Sequence, residues 1–138
     1  HFNFFKSIPI KDKDLKRDIF FRSPFIHSSV IFKKKVLKKF NYCKEFKKLQ
    51  DYELWFRISN YGSFKFGNIP SYSTFMNISE NFYHKRGKLI AIKEFLLRCN
   101  NIRLFDRSFF FKIFYALLVL IIRIGPKSLR KYVYKNYR

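Results

Sequence analysis

Three stretches of the chain carry apolar residues at helical spacing. Across residues 50–61, QDYELWFRISNY, Leu54, Ile58 and Tyr61 recur on one side, and Gly62 follows as a natural C-terminal stop. Residues 85–99 are basic and amphipathic, with Leu89, Ile92, Leu96 and Cys99 sharing a face. Residues 109–124 are almost wholly apolar, interrupted by Lys112 and Arg123, and Gly125-Pro126 ends them. Two shorter helices are predicted. One covers 11–21, with early acids, late apolar residues and a stop at Ser23-Pro24; the other covers 33–40, with Val36, Leu37 and Phe40 on one side. Aromatic and β-branched runs predict strands over 25–32 and, on either side of Pro70-Ser71, over 64–69 and 72–77. Residues 1–10 read as a broken strand or loop.

These elements fill 138 residues, enough for one domain with one core. A hydrophobic share of 48% offsets the ordering entropy and excludes a disordered tail. Two cysteines, Cys43 and Cys99, exclude a disulfide scaffold and every multi-Cys zinc module. With 30 Lys+Arg against 9 Asp+Glu, the net charge of +21 admits nucleic acid, anionic lipid or a phosphorylated substrate as partner. Lys, Phe, Ile, Asn and Tyr also share A+T-rich codons, so compositional drift accounts for the same bias. No nucleic-acid motif accompanies the charge. A basic, non-enzymatic module that binds nucleic acid or an anionic membrane surface, with interleaved aromatics such as Phe46 and Tyr132 to stack on bases, is therefore the alternative and not the first reading.

Residues 23–78 carry the candidate chemistry. In order they contain Phe25-Ile26-His27-Ser28-Ser29-Val30, a basic run, Asn41-Tyr42-Cys43, and Gln50-Asp51-Tyr52-Glu53-Leu54-Trp55-Phe56-Arg57. This order and spacing resembles the second half of the catalytic domain of family-2 glycosyltransferases. The resemblance implies an α/β fold, the C-terminal half of a GT-A type domain, followed by C-terminal helices. It divides the chain into an acceptor-side catalytic part, 1–83, and a basic and apolar helical extension, 84–138. It also implies a fragment: the chain opens at His1 with no signal peptide, and the nucleotide-binding half is expected upstream.

By the same resemblance Asp51 is the general base of an inverting, non-processive transfer from a nucleotide-sugar donor to a saccharide or lipid-linked acceptor. The first turn of a helix suits that role, because unpaired N–H groups and the macrodipole favour a negative charge. His27, Ser28, Gln50 and Trp55 are candidate substrate contacts, although Trp55 equally suits a core. Glu53 faces away from Asp51 and suits either solvent or a salt bridge to Arg57 at i+4. His84 reads as surface. The family implies a divalent metal, Mn or Mg, with ligands upstream; Asp12-Lys13-Asp14 follows no apolar strand and reads as a decoy. Three positions depart from the family pattern: Cys43 for a turn Asp, Gln50 for the commoner Glu, and no His within 75–81. The isolated chain is accordingly expected to transfer no sugar.

The apolar segment is too short to span a bilayer, which needs roughly 20 residues. It predicts contact with the membrane interface, with Lys112 and Arg123 snorkelling and the basic tail from Lys127 facing anionic lipid; a helix buried in a core or a dimer is the alternative. The expected location is cytoplasmic and peripheral, at the inner face of the cell membrane.

Overall fold

The computed structural model describes residues 8–71, 74, 87–102 and 108–137, with side chains as far as 133. Among them lie six α-helices: α1 (Asp12–Phe21), α2 (Lys34–Lys39), α3 (Gln50–Tyr61), α4 (Lys88–Asn100), α5 (Phe109–Ile124) and α6 (Lys127–Tyr137). Short 3-10 turns cover His27–Ser29 and Lys44–Phe46.

Helix α3 is the centre of the molecule. Tyr52, Leu54, Trp55, Phe56 and Ile58 are all buried, so the helix is apolar over most of its circumference and must be enclosed. Ile19 of α1, Val36 of α2 and Leu97 of α4 enclose it, with Phe25, Phe32, Phe64 and Phe66 filling the gaps. Trp55 is the largest of the fully buried side chains, with Phe32 stacked 5.6 Å away and the edge of Phe25 at 5.0 Å. Truncating it to Ala would cost about 3–5 kcal/mol in lost burial and cavity formation. Gly62 closes the helix in the left-handed region, at φ 75, where any side chain would be strained.

The C-terminal carbonyls of α1 tie the helices together. A helix end leaves such groups without intrahelical donors. Here Tyr52 donates to Ile19 O at 2.5 Å, Arg98 Nε to Phe20 O at 2.9 Å, and Tyr115 to Phe21 O at 2.9 Å. One turn of α1 is thus held by α3, α4 and α5.

Helices α4 and α5 run antiparallel. Lys112, early in α5, donates to Ile102 O just past α4 at 2.7 Å, while Arg123, late in α5, meets Glu94 of α4 at 3.0 Å. Burial opposes the charge of Arg98, but Tyr52 and Glu94 outweigh it and hold the guanidinium above its ordinary pKa. Arg98 and Glu94 form a fully enclosed pair at 3.0 Å. With these charges turned inward, Leu89, Ile92 and Leu96 of α4 face out.

The expected α/β, partial GT-A architecture is not what the chain adopts. Among the described residues there is no strand, and the elements are helices and extended loops. In 25–32, Ser29 and Val30 N–H bond locally to Ile26 and His27 carbonyls, forming a turn where a ladder was expected. In 64–69 the inward–outward alternation is present: Phe64, Phe66 and Asn68 are half-buried while Lys65, Gly67 and Ile69 are exposed. Its donors go elsewhere. Phe66 N–H bonds Asp12 Oδ1 at 2.7 Å and Asn68 N–H bonds Ile10 O at 3.2 Å. The segment is extended, but no neighbouring strand makes it a sheet. The strand expected at 72–77, apart from residue 74, the start of the 1–10 segment and His84 lie outside the described residues.

Lys112 and Arg123 also depart from expectation, since both point into the protein and do not snorkel outward. Among the described residues no helix is long and apolar enough to cross a membrane.

Candidate functional site at the head of α3

Two candidate residues meet at the start of α3. His27 opens the 3-10 turn, Asp51 lies in the first turn of α3, and Nδ1 of His27 is 3.9 Å from Oδ2 of Asp51. That is an ion-pair distance whenever the imidazole is protonated. The pair is accessible: the side chains are 44% and 30% exposed. Asp51 also receives the positive end of the α3 dipole.

Local sequence explains the approach. Pro24 is fully buried, and Phe25 and Phe32 are pinned against Trp55, so the intervening turn must bulge outward with His27 at its tip. On the other side, a tight turn aims α3. Leu49 N–H bonds Phe46 O at 2.7 Å, and Lys48 takes φ 72, a left-handed conformation that costs a lysine about 1–2 kcal/mol.

A third residue joins them. The Tyr42 ring lies 5.6 Å from the His27 ring, and Tyr42 is 41% exposed. Its loop is anchored from α3: Glu53 accepts from Arg57 Nη2 at 2.9 Å, and the same guanidinium nitrogen donates to Asn41 O. Glu53 is therefore the Arg57 partner, and the pair is only part-solvated, with Glu53 buried. Sequence reasoning had Tyr42 only as part of a turn motif. Its proximity to His27 depends on the Arg57–Asn41 contact, for which no spacing rule exists.

The remaining candidates separate into two groups. Ser28 and Gln50 are exposed beside His27 and Asp51 along the chain. Trp55 is 1% exposed, enclosed by aromatic rings, and presents no open face to a ligand. Its indole Nε1 is buried without a hydrogen-bond partner.

Asp12 and Asp14 are committed to other contacts. Asp12 accepts from Phe66 N–H and Lys16, and Asp14 pairs with Arg17 at 3.0 Å. Among the described residues no three His, Cys, Asp or Glu side chains converge as a metal site would require. What the arrangement can do chemically is hold a carboxylate, with an imidazole and a phenol beside it, at an open surface. No family model matches the chain, and neither a curated protein nor a solved structure is similar enough to count as a match.

Proposed function

We propose that this chain forms the acceptor-side part of an inverting, non-processive glycosyltransferase, with Asp51 as its general base. The observation that carries the reading is the approach of His27 and Asp51 at the head of α3. Two residues named by the family-2 resemblance, 24 positions apart in sequence, lie 3.9 Å apart at an accessible surface. The reading rests on residue order and this local geometry, not on a sheet.

Asp51 takes the proton of the acceptor hydroxyl. The freed oxygen attacks the anomeric carbon of a nucleotide sugar from the face opposite the diphosphate. The new glycosidic C–O bond forms as the C–O bond to phosphate breaks, and the nucleoside diphosphate leaves with the electron pair. His27 orients the carboxylate, Tyr42 packs on the imidazole, and Ser28 and Gln50 offer polar contacts to sugar hydroxyls. The donor set on the described residues does not assemble a divalent-ion site. We assign the protein to the cytoplasmic side, peripheral to the membrane, because the +21 charge suits the anionic inner leaflet.

The test is transfer from radiolabelled UDP- and GDP-sugars to saccharide and lipid-linked acceptors by a protein that joins this chain to the expected nucleotide-binding half, with Asp51→Asn as the variant. The amide keeps the shape and removes the proton acceptor, so turnover is expected to fall by about 10²–10⁴-fold with donor affinity kept. Retention of more than about a tenth of the turnover removes Asp51 from the base role.

A further inference from the structure

Helix α5 is built the wrong way round for a helix in water. Its two charged residues both face the protein: Lys112 is 4% exposed and bonded to Ile102 O, and Arg123 is paired with Glu94. The opposite arc consists of Phe110, Phe114, Leu117, Leu118, Ile121 and Ile124, at the i, i+4, i+7, i+11 spacing of a single face. These side chains are open, with Phe110 81%, Phe114 64% and Ile121 62% exposed. A water-facing helix puts its lysine outward and its phenylalanines inward. An unbroken apolar arc of this kind marks an interaction surface.

The charge around the arc selects the occupant. From Arg107 to Arg138 there is no Asp or Glu, and eight Lys or Arg residues are present. Past Gly125-Pro126, α6 continues with Lys127, Arg130 and Lys131 while still exposing Leu129 and Tyr132. A second copy of a chain carrying +21 would be repelled. An anionic bilayer would be attracted, and it would accept the apolar arc as well. Helix α5 has 16 residues, about 24 Å, against a hydrocarbon core of about 30 Å, so it does not reach across.

We infer that α5 lies in the plane of an anionic membrane, with the Phe110–Phe114–Ile121 arc among the acyl chains and α6 on the headgroups. This deepens the peripheral assignment made above and does not depend on Asp51. Lys112 and Arg123 anchor α5 to the protein from behind, which leaves the arc free to insert.

Vesicle co-sedimentation of the chain tests this, with phosphatidylcholine alone and phosphatidylcholine–phosphatidylglycerol mixtures. Because both residues point outward, Phe110→Ser with Phe114→Ser should keep the helical circular-dichroism spectrum. It should lower partitioning into mixed vesicles at least about tenfold. Replacing Lys127, Arg130 and Lys131 together by Gln should lower binding to mixed vesicles by a similar factor and leave phosphatidylcholine binding unchanged. Depth is read separately. Phe114→Trp should be quenched by brominated acyl chains, whereas wild-type tryptophan emission, which comes only from the enclosed Trp55, should hardly change. Vesicle binding that survives Phe110→Ser with Phe114→Ser, or an unquenched Phe114→Trp, overturns the inference. So does a dimer, seen by sedimentation equilibrium, that this double variant dissociates while vesicles capture nothing. Asp51→Asn should bind vesicles like wild type, so failure here and failure of the transfer reading are told apart.

Discussion

Glu94 and Arg123, 29 residues apart, pair inside the α4–α5 hairpin, with Arg123 Nη2 3.0 Å from Glu94 Oε1. The same carboxylate oxygen takes Arg98 Nη2 at 3.0 Å, so one buried acid serves two guanidinium groups. That single carboxylate lets both helices turn their charges inward and their apolar residues outward.

Removing it should therefore be costly. Glu94→Ala leaves Arg98, whose side chain is 2% exposed, with its charge uncompensated in the core. Breaking one partner of such a buried pair costs about 3–5 kcal/mol. Urea denaturation followed by circular dichroism measures it. A loss of less than about 1 kcal/mol would mean that the pair carries little stability.

Asp12 predicts an acid-sensitive contact. Burial opposes its ionisation, but the Phe66 amide, Lys16 and Lys65 outweigh that and hold the carboxyl below its ordinary range. A depressed folded-state pKa contributes stability above the unfolded value of about 3.9, and the contribution is lost as pH falls through the folded value. Asp12→Asn should destabilise the protein by about 1 kcal/mol at neutral pH and by progressively less below pH of about 4. Thermal midpoints of both proteins across that range should converge toward the acid end.

Lys48 should be improvable. Its φ of 72 suits glycine, and relief of strain outweighs the extra chain entropy of a glycine. Lys48→Gly should stabilise by up to about 1 kcal/mol and leave the α3 helix boundaries unchanged. Denaturant midpoints and amide chemical shifts of Gln50 and Asp51 report the two quantities.

Arg57 should act on the site through the Tyr42 loop. Arg57→Met releases both Glu53 and the Asn41 carbonyl. Stability should fall by about 1–3 kcal/mol, since Glu53 stays buried, and transfer should slow by about tenfold as Tyr42 loses its position. His27→Asn should slow transfer less than Asp51→Asn does. A transfer rate unchanged by Arg57→Met in folded protein would separate Tyr42 from the site.

The helices were legible because their signals are local. Residues 50–61 carry apolar spacing, an acidic first turn and a terminal glycine, and the helix occupies that span. The strands were not legible in the same way. Phe64, Phe66 and Asn68 do point inward in alternation, but a strand is defined by its neighbour, and Asp12 and Ile10 take the donors. The shared face of Leu89, Ile92 and Leu96 was readable, whereas its outward direction was not. Direction was decided by Glu94 and Arg98, whose mutual neutralisation makes their burial affordable. At the site, His27 and Asp51 were named through a resemblance, and their distance came only with the fold. Tyr42 needed the Arg57–Asn41 contact, which joins positions 16 apart by a side chain reaching a carbonyl.

The grip on the last turn of α1 has a consequence for how the chain is made. Its carbonyls at Ile19, Phe20 and Phe21 wait for donors 33, 78 and 94 residues downstream. At about 5–20 residues per second, a ribosome needs on the order of ten seconds to deliver Tyr115 after Phe21 has emerged. For that interval α1 is a nascent segment with an unfinished end. Its completion is timed by the arrival of α5.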